Sequence, residues 1–556
     1  ALLLSLVPRA FLMTLNELLS RFGLAENPFR GEEARNDAVF ARMTGASATG
    51  SAEQKAAEAA VAVEQPAPKP GTGAFALPAL TGTFHSDFEK ILGDLSRPAT
   101  AIVFGEKGSG KTAIRLQLTR AIDLHNAQHP DRRVLLIPYD DLNGVLDRLH
   151  ARLNGKTPLE SFQKIRLVDH LDAIFASIVP RLVDSALNKS DPSDPLLADD
   201  AKKLLKKLDP GARRDLLLLQ SVYDRPDQAD LRTTQLRRKL GLWLPWSRVL
   251  SHMAVWLGWI PAAAVVYLAK LFPTTAEGWN IGPGPALYAF LTLLGVWLIA
   301  LVKLLAWDRI AFNLLGKRVR KQLRSVSRND TSYARSLRQL DPVLRDEDNL
   351  PITDSDEVRY KLLDRLRSIL RALGYTGLVI IVDRVDEPTL ISGDYDRMRA
   401  VVWPMLNNKF LQQDGMGVKM LLPVELRYAL YKESAAFFQE ARLDKQNMVD
   451  RLSWTGAMLY DLCVSRLHAC LAPGATPLTL LDLFSEEVTR SDLVDALDQM
   501  HQPRDAFKFL YRCLSEHCSN VTRDDKNVRI PKAVLDMVRK QEAERVQQLY
   551  RGIRPA

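Results

Sequence analysis

Apolar residues along the chain fall into three patterns, and each predicts a different kind of element. The first is a short continuous run. Residues 101–104 (AIVF), 134–138 (VLLIP) and 378–382 (LVIIV) have no polar face, as strands buried in a parallel sheet do not. Residues 417–423 (GVKMLLP) form a similar run, and residues 450–454 (DRLSW) are a candidate for the last core strand. The second pattern has helical spacing. Ile114, Leu118 and Ile122 share one face of a helix running from residue 112 to about 125, and Val358, Leu362, Leu366 and Leu370 do so over 354–373. Residues 14–22 predict an amphipathic helix stopped near Gly23 and Pro28, and residues 86–95 a short helix. Residues 140–225 predict a charged helical region broken at 189–195 (KSDPSDP). Residues 531–550 predict a charged amphipathic helix that packs on its neighbours or binds a partner.

The third pattern is apolar all round. Residues 249–272 and 286–307 each exceed the roughly 20 residues that cross a bilayer's hydrocarbon core. Trp243, Trp246, Trp259, Tyr267, Trp279, Tyr288, Trp297 and Trp307 are concentrated around them, where interfacial aromatic anchors would sit. Arg232, Arg237, Arg238, Lys239 and Arg248 precede the first run. Arg309, Lys317, Arg318, Arg320, Lys321, Arg324 and Arg328 follow the second, while the loop 273–285 has no Lys or Arg. The positive-inside rule then predicts two spans with both flanks cytoplasmic and the loop outside. The flanking charges predict a basic collar facing anionic lipid.

Between the first helix and the first strand the pattern disappears. Residues 44–80 are rich in Ala, Gly, Ser, Pro, Glu and Gln and predict a linker without a fold, so the core is expected to fold without residues 1–80. Residues 1–12 are apolar but interrupted by Pro8 and Arg9, which makes a poor signal peptide and too short a span.

Composition alters this picture in two places. The net charge of +9 asks for an anionic partner, and the position of the basic residues beside the apolar runs predicts lipid rather than nucleic acid. Cys463, Cys470, Cys513 and Cys518 match no common zinc spacing and read as reduced packing thiols. The length, 556 residues, leaves room for two to four domains at roughly 150 residues each.

Candidate chemistry lies directly after the first strand. Gly105, Glu106, Lys107, Gly108, Ser109, Gly110, Lys111 and Thr112 read GEKGSGKT, the pattern G-x-x-x-x-G-K-S/T between a strand and a helix. Such a loop brings backbone N–H groups to a polyphosphate at a helix N-terminus. Lys111 would reach the β- and γ-phosphates of ATP, and the Thr112 hydroxyl would sit on Mg²⁺. Asp383 ends the strand 378–382, at the strand end where ligands bind in open α/β sheets, and is a second Mg²⁺ candidate. Asp386 and Glu387 follow, and either carboxylate could polarise an attacking water, with Glu387 favoured as the base.

The string VIIVDRVDE resembles the Walker B motif of the KAP and NACHT branches of the STAND class of P-loop NTPases. KAP members carry transmembrane helices between Walker A and Walker B, which is where residues 249–272 and 286–307 fall. Arg384 stands where many of those members have Asp. The resemblance covers about residues 82–530 and implies an α/β fold. Its parts would be a P-loop NTPase core with a parallel sheet and an additional strand, a helical insertion carrying a two-helix transmembrane hairpin, and a C-terminal helical lid. By the same resemblance residues 417–423 carry the sensor 1 position, with Glu425 and Arg427 after it, and HQPRD at 501–505 is a sensor 2 element whose Arg504 reaches the γ-phosphate.

These readings divide the chain into an N-terminal segment (1–43), a linker (44–80), two parts of the core (81–140 and 353–460), a helical insertion (141–248), a transmembrane hairpin (249–307), a basic connector (308–352) and a lid (461–556). The resemblance implies an ATP-hydrolysing switch or assembly ATPase on the inner membrane, with the NTPase domain cytoplasmic and a homo-oligomer or protein partner. A membrane scaffold that binds nucleotide without turnover is the competing expectation. A membrane-tethered phage-defence ATPase is a third, resting on family association alone.

Overall fold

A computed structural model describes residues 13–30, 33–44, 84–189, 196, 205–243, 246–271, 283–522, 525 and 528–550. Its centre is a five-stranded sheet in the order β2-β3-β4-β1-β5, parallel throughout. The strands are β1 (Ala101–Gly105), β2 (Arg133–Tyr139), β3 (Tyr375–Val382), β4 (Met416–Pro423) and β5 (Asn447–Val449). The continuous apolar runs account for the middle of the sheet, because β1, β3 and β4 are covered on both faces. One face carries Phe88, Ile91, Ile114, Leu118 and Ile122 from the helices Phe88–Leu92 and Lys111–Gln128. The other merges with the helical region that follows β2. Residues 450–454 are not the last strand. The last strand, β5, ends at Val449, and beyond it the Leu452 N–H still donates 2.8 Å to the Phe104 carbonyl before Trp454 reaches the glycine loop.

The region between β2 and β3 is helical, as its spacing predicts, and it is one packed unit with the segment after the apolar runs. Helix Leu167–Leu187 presents Asp169 and Asp172 inward, where Arg324 bonds Asp169 at 2.9 Å and Arg359 bonds Asp172 at 3.2 Å. Arg232 pairs with Asp184 and Asp224, and Arg328 donates to the Ser221 carbonyl. This corrects the lipid-facing collar. Arg232, Arg237 and Arg328 are buried, and Arg324 is tied to Asp169, whereas Arg238, Arg309, Lys317, Arg318, Arg320 and Lys321 remain exposed. A charge near an apolar run in sequence can turn inward to satisfy a buried carboxylate, as Arg232 and Arg324 do, or buried carbonyls, as Arg237 and Arg328 do.

The first apolar run is not one helix. It divides into Trp246–Leu257 and Ile260–Leu271, parted at Gly258 and Trp259. Pro261 explains the break, since it has no N–H for the Leu257 carbonyl and its ring crowds that turn. The second run continues as Pro283–Val302 through a π-helical turn, Lys303–Trp307, into Asp308–Gln322. Among the described residues one helix, Leu287–Gln322, is long and apolar enough to cross a membrane, and the apolar stretch His252–Leu268, divided between two helices, is shorter. The two pack together, with Trp297 Nε1 donating 2.9 Å to the Val255 carbonyl, and Trp256, Val296 and Ile299 stand exposed. Most of the predicted loop 273–285 lies outside the described residues, as do residues 1–12 and nearly all of 44–80.

The C-terminal helices form a second core, and the N-terminal segment is part of it. Met13, Leu18, Leu19, Leu24, Phe29 and Val39 pack among Leu459, Leu467, Leu497, Phe509 and Leu514. The helix Leu15–Arg21 begins with a capping box from Thr14 and Glu17. The described residues 13–30 and 33–43 are therefore part of the C-terminal unit. Helix Lys532–Tyr550 also packs here, with Arg512 paired to Glu542 and Arg545 to Asp505. All four cysteines are buried free thiols.

Candidate functional site

The glycine loop joins β1 to the helix Lys111–Gln128 and is shaped by one close approach and two left-handed glycines. A side chain at Gly105 would collide with Ser109 Oγ at 2.5 Å. Gly108 and Gly110 take φ of +99° and +96°, which a side chain resists. Ser109 closes the loop by donating 2.8 Å to the Glu106 carbonyl, and Trp454 Nε1 donates 2.8 Å to the Ser109 carbonyl from below. Trp454 in turn meets the ring of His85 edge-on.

Lys111 folds back over the loop and donates 2.7 Å to the Gly105 carbonyl and 3.0 Å to that of Glu106. Burial pushes its amine down, and the nearby charges of Asp386, Asp383 and Glu425 push it up. Those three carboxylates come from the ends of β3 and β4, so the sheet order brings them to Lys111. Asp383 is 1% exposed. Its Oδ1 accepts 2.9 Å from the Arg384 N–H, and its Oδ2 is buried without a hydrogen-bond partner. Burial raises the Asp383 carboxyl to about 6, against the opposing pull of Arg115.

A cavity of about 580 Å³ opens over this floor. Glu106, Lys107, Gly108, Gly110, Lys111 and Thr112 line it together with Asp383, Asp386, Glu387 and Arg504. Gly105 and Ser109 lie behind that lining as the loop's scaffold. Arg504 arrives on the helix Pro503–Cys518, whose start rests on the loop: a Cβ at Gly108 would lie 3.2 Å from Arg504 Cβ and 2.8 Å from Gln502 Oε1. Glu106 is bound from both sides, by Arg451 at 2.6 Å and by Gln502. Arg427 does not join the site; its guanidinium lies over the Tyr431 ring.

Sequence patterning does not single out several residues that shape the cavity. Arg115 lies on the helix after the loop, pairs with Asp140 and sits 3.6 Å from Asp383 Oδ2. Its position one turn after Thr112 is the signal that would have found it. His85, Trp454, Phe507 and the N-terminal residues Glu33, Ala34, Asp37 and Phe40 complete the walls. Arg384 holds a left-handed φ of 59°, pairs with Glu33 and lies 3.4 Å from Glu387.

Chemically, the loop offers backbone N–H groups and one ammonium to an anion, and Asp383 offers a carboxylate oxygen that makes no hydrogen bond and faces only the Arg115 guanidinium at 3.6 Å. No cluster of three His, Cys, Asp or Glu that could hold a metal alone occurs among the described residues. A Mg²⁺ ion bound through one or two protein groups and substrate phosphates needs no such cluster. Compared with protein-family models, with curated proteins and with solved structures, the chain finds no match.

Proposed function

We propose that this chain is a membrane-anchored P-loop NTPase of KAP type that binds ATP with Mg²⁺ on the cytoplasmic face, hydrolyses it, and works as a switch or assembly ATPase. The observation that carries the reading is convergence. Lys111 and Thr112, the Asp383–Asp386–Glu387 cluster and Arg504 come from three distant stretches, yet they line one cavity. The strand order supports it, because β4 separates β1 from β3 as an additional-strand core requires.

Each residue then has a task. The N–H groups of the loop hold the phosphates, and Lys111 turns from the Gly105 and Glu106 carbonyls to the β- and γ-phosphates. Thr112 and the Asp383 oxygen that makes no hydrogen bond would hold Mg²⁺, which when bound neutralises charge on the phosphates. Glu387, or Asp386 in its place, takes the proton of the attacking water. Arg504 approaches the γ-phosphate from the C-terminal unit.

The exposed apolar helix Leu287–Gln322 and the exposed basic residues Arg309, Lys317, Arg318, Arg320 and Lys321 support membrane anchoring with a cytoplasmic site. A homo-oligomer or protein partner fits a switch of this kind, and nothing in the cavity favours nucleic acid. One observation favours a scaffold that binds nucleotide without turnover: Glu387 lies against Arg384, and Asp383 against Arg115.

Phosphate release and ATP binding by the purified full chain decide between the two. Lys111→Ala is expected to weaken binding or abolish turnover. Glu387→Gln is expected to keep binding and to slow hydrolysis by about 10²- to 10⁴-fold. Binding without phosphate release by the wild type would favour the scaffold. Unchanged binding and hydrolysis in Lys111→Ala would mean that GEKGSGKT is not the site.

A further inference from the structure

Two opposite charges close together on the N-terminal segment reach across the mouth of the cavity to the sheet. Glu33 pairs with Arg384, directly after β3, and Arg35 lies 3.3 Å from Asp140, directly after β2. Both side chains on the segment are 45% exposed. The same segment meets the C-terminal unit quite differently. Arg466, 2% exposed, donates 2.7 Å to Asp37 and 2.6 Å to the Pro28 carbonyl. Phe29 stacks on Phe507, Leu24 bridges to Leu471, and the Ala25 N–H donates 2.9 Å to the Cys470 carbonyl.

The two attachments are unequal in strength. The partners of Glu33 and Arg35, Arg384 and Asp140, are 13% and 17% exposed, and ion pairs open to water on one side contribute modestly and are screened by salt. Breaking a buried pair strands a charge out of water, and undoing the apolar contacts exposes the core around them. A segment held this way parts from the sheet long before it parts from the C-terminal helices. It also walls the cavity, through Ala34, Asp37 and Phe40.

We propose that residues 33–44 form a strap that opens and closes the cavity as one body with the C-terminal helical unit, latched to the sheet by Glu33–Arg384 and Arg35–Asp140. Gln502, which bonds Glu106 of the glycine loop, closes with it from the same unit. Ligand can then enter or leave only while the latch is open. The proposal rests on the nucleotide reading solely for what the cavity takes.

The test uses the purified full chain, with a fluorescent ATP analogue as probe and Glu33→Gln/Arg35→Gln as the variant. Release of bound analogue is expected to quicken by about two- to tenfold, the worth of two pairs open to water on one side. Added salt should quicken release from the wild type more than from the variant. Spin labels supply a readout independent of ligand: one at exposed Asn36 on the strap, paired either with exposed Asp147 beside the sheet or with exposed Asp495 on the C-terminal unit. In the variant the 36–147 distances should lengthen and broaden while the 36–495 distances stay narrow. Unchanged 36–147 distances, or broadened 36–495 distances, overturn the proposal. If the wild type takes up no analogue, the nucleotide reading falls, and the label distances alone decide the strap by the same criteria.

Discussion

The sheet side of the cavity is drawn from two stretches, each locally continuous. β1, the glycine loop and the helix Lys111–Gln128 are consecutive, and Asp383, Asp386 and Glu387 follow one strand. The opposite side is assembled from the two ends of the chain. Asp37 and Arg466, 429 residues apart in sequence, form its buried ion pair, and residues 13–30 and 33–43 share a core with the helices from Gly456 onward. The first side can form wherever its own strands pair. The second exists only when the ends of the chain meet, so its stability is hostage to a segment that carries no catalytic motif.

Deleting residues 1–44 should break this comparison open with the largest effect. Leu18, Leu19, Leu24, Phe29 and Val39 leave the second core, each large apolar side chain being worth roughly 1.5–3 kcal/mol of burial. Their sum is comparable to the whole stability of an ordinary domain, about 5–15 kcal/mol. The truncated chain should lose hydrogen-exchange protection across the helices Gly456–Ala469 and Pro503–Cys518 while β1, β3 and β4 keep theirs. Full protection in both regions would show that the C-terminal helices fold unaided.

A smaller effect sharpens the same contrast. Arg466→Met leaves the Asp37 carboxylate buried and unpaired, at a cost of about 3–5 kcal/mol. Arg451→Met on the sheet side removes a half-exposed partner of Glu106 and should cost about 0–1 kcal/mol. Denaturation midpoints of the two variants, read by exchange in each region, should differ accordingly. Equal losses would mean that the Asp37–Arg466 pair is reached by water.

How much of this was legible in the sequence follows from the same division. The strands β1 to β4, the glycine loop and the carboxylates after β3 are readable because their determinants are local: apolar runs, glycines and a fixed spacing. The second core was not readable. Residues 14–22 show an amphipathic face, but nothing in their pattern says which surface it covers. The inward turn of Arg232, Arg324 and Arg328 was hidden for a related reason. Their partners Asp184, Asp169 and the Ser221 carbonyl lie on other helices, and a positive charge beside an apolar run looks the same whether it meets lipid or a buried acid. The break at Gly258 was visible as Pro261, which can be accommodated within a lipid-embedded helix and so leaves the outcome undecided.

A last prediction gives the two sides opposite responses to alkali. On the sheet side Lys419 of β4 is 1% exposed and donates 3.0 Å to the Leu92 carbonyl and 2.7 Å to that of Ala99. Burial alone brings its amine down to about 7, whereas the unfolded chain titrates near 10.5. Between those values the unfolded state holds a proton that the folded state does not. Lys419 therefore adds stability as pH rises through that window, with a slope up to about 1.4 kcal/mol per pH unit. On the other side the thiols of Cys463 and Cys470 are raised by burial to about 12 and about 11, from 9.0. There the folded state keeps protons that the unfolded state releases, so stability is intact below about 9 and falls as pH climbs above it. Denaturation followed by exchange at pH 7 to 10 should show β1 and β4 gaining while the helix Gly456–Ala469 loses from about pH 9. Lys419→Met removes the first trend and leaves the second, since its lost hydrogen bonds cost the same at every pH. A wild-type-minus-variant difference that stays flat from pH 7 to 10 would mean that Lys419 keeps its ordinary titration and that its two carbonyl bonds are made in contact with water.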